Sequence, residues 1–352
     1  MAEEIRVDAL DRAIIEHLKQ DARATNRALA EELDVTEQTI AARIRRLEDA
    51  SLLRVMAILD MQAAGYGLFV IAGIQVSGRT PAEVATELAS LPTVSGVVSC
   101  LGGFELLATL YARDQHDLFE QLERGIGSIR GVEEIESFLV LEQLIHRTDW
   151  AVLAKLTPRP VRPSGGIGLD ELDHAIVEQL QENGRTSLRE VGRRLERSEG
   201  TIRARLRRME EAGVCRLQAV TDISVGPGLH SVWIAIKTRR GWVRRVAEAI
   251  AKAPEAGFVG ITLGRFDVIA LVIATDRDEL SRLVFENVAL IGGVQRIEVW
   301  GTLQSYKNDF RVALLSASPA PPRGGPARGV EGRPRRTTRS ARARKPPGRS
   351  DS

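Results

Sequence analysis

Two short segments hold the side chains best suited to recognising a charged partner. Thr36 to Glu48 reads TEQTIAARIRRLE, and Ser198 to Glu210 reads SEGTIRARLRRME. In each, apolar residues fall at i, i+4 and i+7: Ile40, Ile44 and Leu47, then Ile202, Leu206 and Met209. That spacing lays one apolar stripe along a helix. Thr36 and Ser198 stand where an N-cap hydroxyl accepts from the first free backbone N–H groups. Away from the stripe lie Gln38, Arg45 and Arg46 in the first segment and Arg203, Arg207 and Arg208 in the second, with Arg43 and Arg205 at its margin. Guanidinium groups in this arrangement can neutralise phosphates, and a short capped cationic helix suits the DNA major groove. Gln38, Thr39, Thr201 and Arg203 are the candidates for base edges, and the arginines mostly for phosphates. A single such helix would equally suit a solvated basic face. Two copies, each after a short helix and a tight turn, point to DNA.

The remaining reactive residue types do not converge. His17, His116, His146, His174 and His230 are scattered without ligand spacing, so neither a metal site nor a catalytic acid–base set is expected. Cys100 and Cys215 are the only cysteines among 352 residues, too few for a disulfide framework, which fits a reducing cytoplasm. Residues 1–10 lack an apolar run, and the longest apolar stretches are too short to span a bilayer as helices. No cofactor is implied. Net charge is +2, unevenly placed: residues 316–352 carry about +8 and the rest about −6. Aromatic residues make up 4% of the chain, so aliphatic cores are expected.

The elements that must position these helices are written twice. Asp11 and Asp173, Arg43 and Arg205, Gly102 and Gly264, Phe104 and Phe266, and Gly131 and Gly293 all stand 162 residues apart. An offset this long marks a duplicated two-domain unit rather than a solenoid. In the first copy the pattern predicts helices over Asp8–Gln20 and Asn26–Leu33, a turn at Asp34-Val35 and the Thr36 helix, the helix-turn-helix plan. A strand follows at Val55–Leu59. Then come strand Leu68–Val76, helix Thr80–Leu91, strands Val94–Leu101 and Glu105–Ala112, helix Gln115–Ile126 and strand Val132–Leu144. That order is the ferredoxin-like βαββαβ plan, whose uncovered sheet face needs a second sheet. In the second copy, helices are predicted at Asp170–Gln181, Ser187–Leu195 and Ser198–Glu211. Strands follow at Ser231–Lys237, Gly257–Leu263, Asp267–Ala274 and Val294–Leu303, with helices at Trp242–Lys252 and Asp278–Val288. The fold class is therefore α+β. The domains are helix-turn-helix 5–54, ferredoxin-like 55–156, linker 157–168, helix-turn-helix 169–216, ferredoxin-like 217–315, and a basic tail 316–352 read as disordered.

Several of these residues resemble a known family. Leu10-Asp11, Ile14, Leu18 and the run Arg43-Ile44-Arg45-Arg46-Leu47-Glu48 are similar to the helix-turn-helix of the leucine-responsive regulators, also called feast/famine or AsnC-type regulators. Gly102-Gly103-Phe104-Glu105 and Gly264-Arg265-Phe266-Asp267 resemble the Gly-x-(Tyr/Phe)-(Asp/Glu) loop of that family's sensing domain. With Gly131 and Gly293 before each last strand, the resemblance covers nearly all of residues 5–315. It implies a regulator that binds promoter DNA as a dimer and responds to a small effector, commonly an amino acid. Carried over, Gly102, Gly103, Phe104, Glu105, Gly264, Arg265, Phe266 and Asp267 become candidate effector residues. Glycine lets backbone N–H groups approach a carboxylate, and Glu105 or Asp267 could accept from an ammonium group. The bland alternative is a pair of tight turns. Because Arg265 replaces Gly103, the two loops are open to framing two unlike pockets, one of them vestigial.

The usual member carries one copy, so this chain is expected to form an intramolecular pseudo-dimer, open to further homo-oligomerisation. Gln38 matches Gly200 and Ala41 matches Arg203, so the two readers differ and an asymmetric DNA site is expected. Two rival readings stand beside this one. One is an effector-binding protein without DNA function. The other is an enzyme like the sirohaem decarboxylases, which resemble this fold as two related halves. Those carry a histidine/arginine-rich segment where this chain has Ser99-Cys100-Leu101 and Thr262-Leu263, without histidine.

Overall fold

The computed structural model describes residues 7–151, 169–222, 230–274, 276–309, 311–313 and 315. The expected linker and basic tail lie outside the described residues.

The first head packs α1 (Ala9–Gln20), α2 (Asn26–Glu32) and α3 (Glu37–Asp49) around Ile14, Leu18, Leu29, Ile40 and Leu47. Asp8 and Asp11 form a reciprocal cap at the start of α1, each side chain accepting from the other's backbone N–H. Thr25 and Thr36 cap α2 and α3. The second head repeats this with α6 (Glu171–Glu182), α7 (Leu188–Arg194) and α8 (Glu199–Glu211), capped by Asp170, Ser187 and Ser198. Its core is Ile176, Val177, Leu180, Val191, Ile202, Leu206 and Met209. The turn before α3 needs a left-handed residue, Asp34 at φ 52°, and Glu196 at φ 54° does the same before α8.

A small sheet joins the heads. β1 (Leu53–Asp60) runs antiparallel to β7 (Cys215–Asp222), from Leu53 opposite Thr221 to Leu59 opposite Cys215. β6 (Trp150–Ala151) lies parallel to β7, and β12 (Val312–Ala313) parallel to β1. The sequence reading placed a strand at the position of β1 but none at β7. Cross-head bonds reinforce the pairing. Gly184 N–H donates to the Val55 carbonyl at 2.8 Å. Arg185 donates to the Ala24 carbonyl at 3.1 Å and to Asn26 Oδ1 at 2.8 Å.

The first sensing domain contains β2 (Leu68–Val76), α4 (Pro81–Ser90), β3 (Val94–Leu101), β4 (Leu106–Ala112), α5 (Gln115–Glu120) and β5 (Val132–His146). The second contains β8 (His230–Thr238), α9 (Val243–Ala251), β9 (Ala256–Leu263), β10 (Val268–Ala274), α10 (Arg277–Ser281) and β11 (Val294–Asn308). Both α5 and α10 continue as π-helical stretches, Gln121–Ile126 and Arg282–Val288, where the sequence pattern had read uniform α-helix. The strand orders are β3-β4-β2-β5 and β9-β10-β8-β11. The halves meet by hydrogen-bonded edges as well as faces: β5 pairs with β9 and β11 with β3, closing an eight-stranded barrel. Closure satisfies every edge strand of both sheets.

Aliphatic side chains fill the outer layers beneath the helices, including Val70, Val84, Leu88 and Leu106 on one half and Ile234, Val246, Ile250 and Val268 on the other. The barrel interior is different. Phe104, Phe138, Phe266 and Trp300 cluster at one end, with Phe104 and Trp300 centroids 5.2 Å apart and Phe138 and Trp300 5.7 Å apart. Phe69, Tyr111, Trp233 and Phe258 gather at the other. The few aromatics of the composition are thus concentrated where two sheets must fill one enclosed volume, and the expectation of aliphatic cores holds only for the outer layers.

Candidate DNA-binding and effector sites

Each N-cap hydroxyl works twice. Thr36 Oγ1 accepts from Thr39 N–H at 3.1 Å and shares a hydrogen bond with Thr39 Oγ1, and Ser198 does the same with Thr201. Gln38 and Arg45 are exposed on α3, and Arg203 and Arg207 on α8.

The seven arginines divide into two groups. Arg43 Nη1 bonds the Asp8 carboxylate and reaches Asp11 Oδ1 at 3.2 Å, and Arg46 bonds Asp11. In the second head Arg205 bonds Asp170 and Asp173, and Arg208 bonds Asp173. Asp11 and Asp173 are wholly buried. These four arginines therefore tie the reading helix to the start of the first helix. The Asp11 N–H and then Arg43 hold the Asp8 carboxyl at about 2, below the usual range, and Arg205 with the Asp173 N–H does the same for Asp170. Among the described residues, Arg203 and Arg207 make only exposed i,i+4 pairs, with Glu199 and with Glu211. Among the described residues, Arg45 has no ion-pair partner. Magnitudes separate the groups. An exposed i,i+4 pair is worth roughly 0.3–0.5 kcal/mol and yields readily to a phosphate, whereas breaking a pair to a buried carboxylate costs about 3–5 kcal/mol. Arg45, Arg203 and Arg207 are left exposed with weak ion pairs or none among the described residues; Arg43 and Arg205 are committed to the head. The acidic partners escaped the sequence reading, although Asp11 and Asp173 marked the repeat: the signal was their i, i+3 spacing from Asp8 and Asp170.

The two glycine loops come together. Gly102 adopts φ +135° and Gly264 φ +157°. A Cβ at Gly102 would stand 2.7 Å from the Val299 carbonyl oxygen, and one at Gly264 2.9 Å from Phe138 Cδ1. Each glycine is required by the close passage of the partner half's last strand. One cleft receives Gly102, Gly103 and Phe104 from the first loop and Arg265 from the second, with Glu134, Glu136, Arg296, Glu298 and Trp300 around them. Arg265 crosses the junction, donating to Glu136 at 2.9 Å and to Glu298 at 3.2 Å, and Arg296 donates to Glu298 at 2.7 Å. Trp300 is wholly buried, and its Nε1 has no hydrogen-bond partner. A Cβ at Gly103 would lie 3.1 Å from that atom, so the bare glycine keeps it within reach of the cleft.

Three loop residues play other parts. Glu105 accepts from Val76 N–H at 3.1 Å. Asp267 accepts from Lys237 Nζ and Thr238 N–H, both at 2.8 Å. Neither carboxylate lines the cleft. Phe266 is buried barrel core. The alternating acids of β5, Glu134 and Glu136, and the matching Arg296 and Glu298 of β11 are the cleft residues the sequence reading missed. Strand alternation puts each pair on one face, a signal that needed the seam register before it meant anything. Among the described residues no cluster of three or more His, Cys, Asp or Glu side chains is placed to hold a metal ion, and no helix is long and apolar enough to cross a membrane.

Comparison with known proteins agrees with this layout. The AsnC-type helix-turn-helix domain matches residues 7–48 and 169–210, and the Lrp/AsnC ligand binding domain matches residues 70–150 and 231–312. An uncharacterized HTH-type transcriptional regulator of Pyrococcus abyssi is 39% identical over 139 residues, 39% of this chain and 88% of that protein. One from Pyrococcus horikoshii is 38% identical over 133 residues, 38% of this chain and 84% of that protein. The solved structure of the siroheme decarboxylase NirDL aligns with a TM-score of 0.59 over 85% of this chain and 93% of its own, at 17% identity, a likeness of fold. Two capped reading helices, two sensing domains closed into one barrel, and matches that cover both copies of each domain place this chain in the Lrp/AsnC family of helix-turn-helix transcriptional regulators, with the family's two-domain unit carried twice.

Proposed function

We propose that this regulator reads an asymmetric DNA site with two unequal heads at once, under control of a zwitterionic effector of the amino acid type held in the loop cleft. The observation that carries the DNA reading is the β1–β7 pairing, which holds α3 and α8 in one body. Arg45 on one helix and Arg203 and Arg207 on the other supply phosphate contacts, and Gln38 has no side-chain counterpart at Gly200. The cleft supports the effector reading through its paired charges: Arg265 and Arg296 suit a carboxylate, Glu134 and Glu136 an ammonium group, and Trp300 Nε1 is a buried donor in want of an acceptor. We read the chain as acting without catalysis, since no histidine or cysteine lines this cleft. We place it in the cytoplasm, a reading supported by two buried free thiols.

The test is binding of the full chain to promoter fragments from its own locus, with heparin as competitor, with and without a pool of amino acids. Selective binding that shifts with the pool supports both parts. Selective binding without a shift removes the amino acid effector, and loss of all selectivity removes the DNA reading.

Further self-association is a second element of the proposal. Leu101 and Leu303 at one barrel seam, and Leu141 and Leu263 at the other, are 60–65% exposed. Paired apolar side chains on a protein surface favour contact with another copy. Light scattering of the Leu141→Ser/Leu263→Ser variant is expected to show a smaller species than the parent chain; an unchanged mass rules out that seam.

A further inference from the structure

At the end of the barrel opposite the loop cleft lies a cavity of about 150 Å³. It is built from equivalent positions of the two halves, so it straddles the pseudo-two-fold axis. Phe69 is matched by Ser231, Tyr111 by Ile273 and His146 by Asn308, each pair 162 residues apart and every member on the wall. A cavity on the axis of an identical dimer must itself be symmetric. Here duplication has been followed by divergence: at these three positions the first half carries the rings, whereas Phe258 and Trp233 come from the second half, where the first has Gly96 and Ile71.

The rings make a continuous arc. Phe69 stands 5.0 Å from Tyr111 and 5.8 Å from Phe258, and Phe258 stands 6.0 Å from Trp233, centroid to centroid. His146 packs on Phe69 at 6.3 Å and meets Phe258 edge-on at 5.7 Å. The charged groups around this space are already satisfied: Lys307 Nζ donates to the Leu91 carbonyl at 2.8 Å, Arg147 pairs with Asp149 at 3.0 Å, and Arg311 pairs with Asp309 at 2.7 Å. Two polar atoms are not satisfied. His146 Nδ1 and Thr302 Oγ1 are both shut off from solvent and without a hydrogen-bond partner. A buried polar atom left unpaired calls for a ligand or an ordered water.

We propose that this axial cavity is a second ligand site, for a small uncharged planar aromatic bearing one hydrogen-bond donor, of the phenol or indole type. The ring stacks within the Phe69–Tyr111–Phe258–Trp233 arc, and its O–H or N–H donates to His146 Nδ1. Size agrees, since an apolar cavity of roughly 150 Å³ accommodates benzene. Charge agrees, since among the described residues of the wall no unpaired ion stands ready for a charged ligand. The site is also wired to the heads. Tyr111 Oη donates to the Val312 carbonyl at 2.7 Å, and Val312 belongs to β12, which pairs with β1. Position 273 is isoleucine and has no hydroxyl to make the matching link.

The test is isothermal titration of the full chain with indole, phenol and toluene, without DNA, so that its outcome is independent of the DNA reading. Indole and phenol are expected to bind with one-to-one stoichiometry, and toluene more weakly. The Ser231→Phe variant places on the second half the ring the first half already has, and is expected to abolish binding of all three. The His146→Phe variant keeps a ring and removes the acceptor; it is expected to weaken indole by about tenfold and toluene by less than about twofold. The proposal is overturned if no probe binds at millimolar concentration, if indole binds a folded Ser231→Phe chain as before, or if His146→Phe affects indole and toluene alike. Melting curves of both variants establish that they are folded, and either variant alone decides the matter if the other does not fold.

Discussion

The division of the arginines can be tested by separating stability from salt dependence. Arg43 bonds Asp8 and Asp11, and Asp11 is wholly buried with Arg46 as its other cation. Replacing Arg43 by Ala removes one charge-assisted link to a carboxylate that cannot reach water. The expected loss is about 1.5–3 kcal/mol, rising to roughly 3–5 kcal/mol when Arg46 is removed too and the carboxylate is stranded. The same holds for Arg205 against Asp170 and Asp173. Arg45→Ala and Arg207→Ala should change stability by less than about 0.5 kcal/mol. DNA binding should show the reverse pattern. Each phosphate contact contributes about 0.9 to the slope of log K against log salt concentration, so Arg45→Ala and Arg207→Ala should each flatten that slope by about 0.9. Arg43→Ala should leave it unchanged while the head is folded. The assay is fluorescence anisotropy of a labelled promoter fragment across a potassium chloride series, run beside thermal denaturation of the same samples. If Arg43→Ala flattens the slope by as much as Arg45→Ala while melting with the parent chain, the sorting by buried and exposed partners is wrong.

Three further outcomes follow from local geometry. Ser51 ends α3 with φ 56°, where the second copy has Gly213 at φ 69°; Ser51→Gly should raise stability by up to about 1 kcal/mol in denaturant titration, and Gly213→Ser should lower it. A Cβ at Gly200 would have only Ser198 Oγ near it, at 3.8 Å, so Gly200→Gln should fit without strain. It should stabilise α8 by up to about 1 kcal/mol and, by restoring the counterpart of Gln38, raise affinity for a symmetrised DNA site in gel-shift competition. Burial holds His146 at about 4, below its ordinary value of 6.5. The unfolded chain therefore binds a proton between those values that the folded chain refuses. Stability from this group is complete above pH 6.5 and is lost as pH falls toward 4, by up to about 3 kcal/mol. Glu48 and Glu210, raised by burial, act in the opposite sense, so the measurement is the difference between parent and His146→Phe melting curves across that range.

Much of this architecture was legible because each element announces itself locally. The stripe Ile40, Ile44, Leu47 and the cap Thr36 specify α3 without reference to anything distant, and the constant offset supplied the second copy. The β7 strand was not legible. Its run CRLQAVTD has no clean alternation, because both faces of its second half, Gln218 to Asp222, are buried. The loops were found but their geometry was not. Whether Gly102 and Gly264 frame two pockets or one depends on how β11 meets β3 and β5 meets β9, and seam register is a long-range property. The arginines showed the same limit. Their positions on the helix were readable, but which of them face a buried carboxylate depends on how α3 crosses α1.

Barrel closure has a consequence for how such a regulator behaves when scarce. Where two identical subunits make the barrel, a two-headed reader exists only above a dissociation constant, and unlike subunits in one cell can exchange partners. Here both seams are closed within one chain, so assembly of the two heads is a first-order event, independent of concentration. Dilution cannot separate the heads, and every molecule carries one of each kind. The second head, once the first has engaged, meets its half-site at an effective concentration fixed by the fold rather than by expression level.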